Sequence, residues 1–312
     1  MLSRVADGLY WMARYLERAE HTARLIEVQL NLMLDQSAYS ADERWRRILA
    51  SLGDPKLNTE ARDAQSLTYS LIFDRSCRSS IVAAIVAARE NSRQVRQQIS
   101  SEMWEQLNRL FHQVRRADLE EGWDPQPHEF LLQVHEGCHL FQGITDGTMS
   151  HNQGWQFIQI GRSMERIMAT SNLLDTHYRE FGDDEHAHLE WIGLLRSCTA
   201  FEAYCKYYTA DVRPDRVAEF LLLNEEFPHT IRFAVDRLDA ALRALPDGDG
   251  RAARVRMLAG RLKASLSFAQ TDEIMTQGFN SYLHSIQRQC EHIDGALRQA
   301  YIDYPVESAL TA

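Results

Sequence analysis

Residues 9–33, LYWMARYLERAEHTARLIEVQLNLM, carry apolar side chains at Leu9, Met12, Leu16, Ala19, Ala23, Ile26, Leu30 and Met33. The steps are of three and four residues, the period of one face of an α-helix. A strand, whose side chains alternate every two residues, cannot produce it. A second seam, Ile81, Ile85, Ala88, Ser92, Val95 and Ile99, has the same period. Turn-forming residues fall between periodic stretches: Gly53-Asp54-Pro55, residues 122–127 (GWDPQP), Gly182-Asp183-Asp184, Arg213-Pro214 and residues 246–250 (PDGDG). No stretch reads as a strand. The expected fold is all-α, a single helical domain of about ten to twelve helices with short connections.

The same stretch organises the rest of the chain. Arg14-x-x-Glu17-Arg18 recurs 148 residues later as Arg162-x-x-Glu165-Arg166. At that shift Leu9 falls on Phe157, Met12 on Ile160, Leu16 on Met164, Ala19 on Ile167 and Ile26 on Leu174. Ile72-Phe73-Asp74 with Ser80-Ile81 resembles Leu222-Leu223-Asn224 with Thr230-Ile231 at a shift of 150, and Cys138 with Gly143 resembles Cys290 with Gly295 at 152. Three segments in one order at nearly one offset predict a tandem duplication, residues 1–148 and 149–312. No Gly/Ser-rich or Pro-rich spacer separates the halves, so they are expected to form one fused domain. Fused copies pack about a pseudo-twofold axis, where the long helices beginning near Ser3 and His151 are expected to meet.

Composition narrows the function classes. A formal net charge of −10 over 312 residues argues against a general nucleic-acid binder, which needs a surplus of cations to displace counterions. Lys56, Lys206 and Lys263 are the only lysines; the remaining cations are arginines, the better partners for carboxylate or phosphate. Five scattered cysteines without a C-x-x-C spacing suit reduced thiols. The N-terminal stretch has charges inside its apolar run and reads as no signal peptide, and no apolar run approaches the roughly 20 residues of a membrane span. A cytoplasmic protein without membrane or nucleic-acid partners is expected.

The repeated charges form the candidate site: Arg14, Glu17, Arg18 and His21 on one helix, and Arg162, Glu165 and Arg166 on the other. Within each motif the two arginines are i,i+4 neighbours and repel unless a carboxylate lies near both. Four arginines and two glutamates converging at the axis would leave partly buried positive charge, a place for phosphate, carboxylate or an acidic partner side chain. Alternatively, the clusters cross-pair with acids such as Glu20, Glu202 or Asp74 and only fix helix register.

His135-Glu136-Gly137-Cys138-His139 matches H-E-x-x-H, which on a helix aims two imidazoles at one zinc with the glutamate as base. Gly137 weakens the helix at its centre, the metzincin extension fails at Gln142 and Thr145, and the second copy has Gln287 and Glu291 in place of the histidines. An ordinary amphipathic helix is the preferred reading, and neither metal nor other cofactor is expected. The stripe Arg89, Arg93, Arg96 reads as solvated, and the aromatic run Phe201–Tyr208 as core with Glu202 as a buried partner for an arginine. There is no P-loop and no G-x-G-x-x-G, so an ATP-using step would reside in a partner.

The segments YLERAEHTAR, ARENSRQVRQQIS, GRSMERI and LLRSCTAFEAYCK, in that order, resemble the bacterial alpha-E family over essentially the whole chain. The resemblance implies an all-helical domain with Glu17, Arg18, Glu165 and Arg166 at the family's E-R positions. It also implies a neighbouring circularly permuted ATP-grasp protein, often a transglutaminase-like protein as well, and a role in ATP-dependent amide-bond formation. The resulting expectation is an accessory or partner protein of an ATP-grasp-type amide ligase. The alternatives are a stand-alone enzyme (a zinc hydrolase or an amide-bond-processing catalyst) and a pure helical scaffold.

Overall fold

The seam of residues 9–33 folds as one 30-residue helix, α1 (Ser3–Leu32), whose stripe from Leu9 to Ile26 is buried; the stripe ends at half-buried Leu30 and exposed Met33. The other long helix is α7 (Gln153–Phe181), started by the Asn152 side chain, which accepts from the Gly154 amide. The computed structural model describes residues 1–33, 39–53, 63–119, 127–182, 184, 187–247 and 252–303. The turn signals at 54–55, 122–126, 183 and 248–250 lie outside the described residues.

Between the long helices run α2 (Ala41–Leu52), α3 (Ala64–Phe73), α4 (Ile81–Gln94), α5 (Ser101–Leu119) and α6 (His128–Thr148). After α7 come α8 (His188–Ser197), α9 (Phe201–Tyr208), α10 (Pro214–Leu223), α11 (Ile231–Ala244), α12 (Ala252–Ser267), α13 (Thr271–Gln277) and α14 (Phe279–Leu297). No strand occurs among the described residues, and none of their helices is long and apolar enough to cross a membrane. The fold is all-α.

The described residues hold fourteen α-helices against the ten to twelve expected, because two short ones, α9 and α13, are set off by breaks that lie outside the turn signals read from the sequence. Thr199, with φ +51°, precedes α9, and Gly278, with φ +105°, separates α13 from α14. The second seam stays buried from Ile81 to Ile99, but α4 stops at Gln94 and a 3₁₀ turn, Arg96–Gln98, carries it on.

Matched elements recur in order. α3 and α10 are both ten residues long and begin 150 residues apart; α4 and α11 are both 14 and also begin 150 apart. Ser80 and Thr230 cap the latter pair, each accepting from the amide three residues on. Asp74 and Asn224 end the former pair in extended conformation and accept amides of the following turn. Only four residues, 149–152, separate α6 from α7.

α1 packs on α4, α6, α7 and α8, and α7 packs on α1, α2, α11 and α14, so the two long helices are the central pillars. They approach tightly at Gly161, where a Cβ would collide with the Tyr10 carbonyl oxygen. Gly161→Ala is therefore expected to cost about 1–3 kcal/mol, because one methyl must push two well-packed helices apart. Denaturant unfolding measures it, and a midpoint equal to the wild type would contradict so close a crossing.

Behind the pillars, α2 meets α8 through a deeply buried ion network. Arg44 and Arg47 bracket Glu190 at 3.0 and 2.7 Å, and Arg47 also grips Glu180 at 2.8 and 3.0 Å. His177 lies beside it with Nδ1 3.0 Å from the Leu173 carbonyl. Burial, then the Arg47 charge, lowers its pKa to about 3. A histidine depressed in the fold takes up its proton more readily unfolded, so stability falls as pH drops below the unfolded value of about 6.5, and the loss is complete only near pH 3. His177→Gln is expected to flatten denaturation midpoints between pH 6.5 and 4; an unchanged slope would place the sensitivity elsewhere.

Candidate functional site

At the crossing the two Arg-x-x-Glu-Arg motifs pair with each other. Arg14 Nε donates to Glu165 Oε2 at 2.7 Å and Arg18 Nε to Glu165 Oε1 at 2.6 Å. Reciprocally, Arg166 Nε donates to Glu17 Oε1 at 2.5 Å, and Arg162 Nε lies 3.6 Å from Glu17 Oε2. Both glutamates are buried. Each carboxylate thus stands between the two like charges of the opposite helix, which lets them share one face.

The acids that pair with the clusters are accordingly the motif's own glutamates, with Asp294 beside Arg14, and not Glu20, Glu202 or Asp74. Glu202 is exposed on α9, not a buried partner. Burial alone would raise the Glu165 pKa, but Arg14 and Arg18 outweigh it and hold the carboxyl below its usual range.

The two motifs differ in what surrounds them. Arg14 also donates to the Tyr10 hydroxyl at 3.0 Å and lies 3.3 Å from Asp294 Oδ1, with its guanidinium over the Trp11 ring at 4.8 Å. Arg18 lies over Tyr15 at 5.4 Å. That pair is sealed by acids and rings. Arg162 instead donates one Nη to Gln142 at 2.5 Å, while its Nε is buried without a hydrogen-bond partner. Burial lowers its pKa despite the opposing pull of Glu17. Arg166 donates to the Pro228 carbonyl at 3.1 Å.

Arg162 and Arg166 stand between two openings. One is a pocket of about 230 Å³ reaching Glu20, His139, Thr199 and His229. The other is a cleft of about 620 Å³ between α7 and α11, bordered by Arg237 and by His151 stacked on Trp155 at 4.2 Å. Arg237 covers the Phe233 ring and has no acidic partner among the described residues. Two guanidiniums therefore border both openings and share Glu17, and Arg237 adds a third to the cleft.

His21 sits one turn beyond Glu17, its Nε2 buried without a partner and its pKa lowered by burial, so it adds no positive charge to the cluster near neutral pH. In the H-E-x-x-H segment of α6, His135 Nε2 lies 3.1 Å from Glu27 and His139 Nε2 3.5 Å from Glu20, while Glu136 faces outward. Among the described residues no group of three or more His, Cys, Asp or Glu is arranged to hold a metal ion. Gly137 has a packing role: a Cβ there would lie 2.7 Å from Leu110 Cδ1 on α5. Of the basic stripe, Arg93 is exposed and paired with Glu90, whereas Arg89 is half-buried, bonded to Asn108 and set over Phe111.

Sequence reasoning missed Thr199, His229 and Arg237, and it treated Glu20 only as a possible counter-ion. These residues belong to four separate segments, and no local pattern links them. The one available signal was Glu20 beside His21 in the E-R helix.

No solved structure matches the chain. Uncharacterised proteins of Mycobacterium bovis and Mycobacterium tuberculosis are each 25% identical over 281 residues, covering 82% of this chain but 31% of their own length. The chain thus spans about a third of these curated relatives. Residues 1–302 match the family described as a predicted alpha-helical domain with a conserved ER motif. With its E-R motifs paired across the central helices, the chain belongs to the Alpha-E family.

Proposed function

We propose that this chain is a cytoplasmic helical partner of an ATP-grasp-type, amide-forming ligase, and that the Arg162–Arg166 face receives an anionic ligand or acidic partner side chain. One observation carries the site: Arg162 keeps a buried Nε without an acceptor, beside open space and 3.6 Å from a glutamate it shares. A partly neutralised buried guanidinium is stabilised by an incoming anion. The sealed Arg14–Arg18 pair makes the scaffold reading fit one half of the crossing only.

The partnership rests on the family, and the ATP-using step is assigned to the partner, with a transglutaminase-like protein as a further candidate. That the mycobacterial relatives carry this unit as about a third of a longer chain supports work beside other domains. The reading also takes residues 1–148 and 149–312 as copies of one unit, supported by the matched helices and the reciprocal pairing. Co-expression with an ATP-grasp ligase encoded beside it tests the proposal. A complex on gel filtration is expected, with ADP release slowed at least tenfold by Arg162→Gln. Neither a complex nor any change in turnover would overturn it.

A further inference from the structure

Glu20 is 2% exposed, yet its carboxylate borders the 230 Å³ pocket. Every contact recorded on it goes to one oxygen. Arg24 holds Oε1 through Nε at 3.1 Å and also through Nη2, while His139 Nε2 at 3.5 Å and His135 Nδ1 at 3.8 Å approach the same atom. No donor among the described residues reaches Oε2. Although burial would raise its pKa, the flanking histidines and Arg24 keep the carboxyl well below its usual range, so the group is charged near neutral pH.

The same pocket is bordered by Arg162 and Arg166, whose one ion-pair partner among the described residues is Glu17. Its further wall includes Thr199, a β-branched residue held at φ +51°. That conformation costs free energy and persists where surrounding structure imposes it, a pattern that clusters at binding sites. His229, also on the wall, is kept neutral mainly by burial and next by Arg166. One small space therefore holds a fixed carboxylate oxygen without a donor and two guanidiniums with bonding capacity to spare.

The volume selects the size of the guest. At about 230 Å³ the pocket is smaller than the roughly 300–1,000 Å³ of drug-sized sites. By the ~30 Å³ share of a water molecule, it holds about seven or eight water-sized groups. That is the scale of a small molecule with opposite charges two bonds apart.

We propose that this pocket binds a free α-amino acid as its zwitterion, the carboxylate against Arg162 and Arg166 and the ammonium against Glu20 Oε2. The inference deepens the reading of the Arg162–Arg166 face as an anion site and rests on it. A simple anion would meet the Glu20 charge at close range, whereas a zwitterion satisfies both walls. The same two arginines also border the 620 Å³ cleft.

Calorimetric titration of the purified chain tests this with glycine, alanine and glutamate, then N-acetylalanine, alaninamide and inorganic phosphate. At least one amino acid is expected to bind, and each capped form, lacking one charge, to bind at least tenfold more weakly. Glu20→Gln should weaken the amino acid at least tenfold and weaken N-acetylalanine not at all, since it removes the like charge that anion meets. The ligand series on the unaltered chain decides the matter even if that variant does not fold. Phosphate or N-acetylalanine binding as tightly as alanine would overturn the zwitterion site and leave the anion site standing. Binding of none of the probes would overturn both, and a ligase complex formed all the same would leave only the partnership.

Discussion

A Glu165→Ala protein is expected to lose about 3–5 kcal/mol of stability, the cost of removing one partner from a buried ion pair. Arg18 has no other acidic partner among the described residues, and Arg14 keeps only the 3.3 Å contact to Asp294. Two guanidiniums, each about 14% exposed, would then face each other without a charge between them. Glu17→Ala is expected to cost less, since Arg162 is 25% exposed and borders open space on two sides, so that its charge is hydrated when Glu17 is removed. The stabilisation depends on pH with a definite sign. The folded Glu165 pKa lies below the unfolded value of about 4.3, so the contribution is present above that pH and lost as pH falls through the folded value. Denaturant midpoints for the two variants measure the difference. A Glu165→Ala loss smaller than that of Glu17→Ala would contradict the sealed-against-open asymmetry.

Glu190→Ala is expected to be as damaging, again about 3–5 kcal/mol, for the same reason in a drier place. Arg44 and Arg47 are each about 3% exposed, as is Glu190 at 2%, and the carboxylate spans both. Arg47 retains Glu180, but that acid is 42% exposed and holds the other edge of the guanidinium. Arg44 retains only the Leu32 carbonyl, at 2.6 Å. A triple replacement, Arg44→Met, Arg47→Leu and Glu190→Leu, removes all three charges together. It is expected to recover most of the loss, because no charge is left buried alone. A triple variant no more stable than Glu190→Ala would show that the network contributes net stability of its own.

The helical seams of α1 and α7 were legible because a period of 3.6 residues is written locally, one side chain after another. The E-R motifs were legible as a pair for the same reason, since two copies of one spacing stand out against the rest. Which glutamate meets which arginine was not. That depends on how closely the helices cross, and the crossing is set by Gly161 against the Tyr10 carbonyl, a contact between residues 151 apart. The break at Thr199 was hidden because a left-handed threonine is imposed by its surroundings, not by its own preference. The pocket was hidden for a related reason. Glu20, His139, Arg162, Thr199 and His229 come from five segments, and only tertiary packing gathers them. The H-E-x-x-H segment is the opposite case, a local pattern whose histidines the fold turns toward α1 carboxylates.

The two E-R motifs bond across the central helices, and a double-mutant cycle on Arg18 and Glu165, 147 residues apart, tests that pairing most directly. Unfolding free energies of Arg18→Ala, Glu165→Ala and the double variant would be compared with the unaltered chain. A coupling energy of about 0.5–3 kcal/mol is predicted for groups in direct contact. Additive losses, within the roughly 0.3–0.5 kcal/mol seen for independent sites, would contradict the crossing on which both the fold and the proposed site depend.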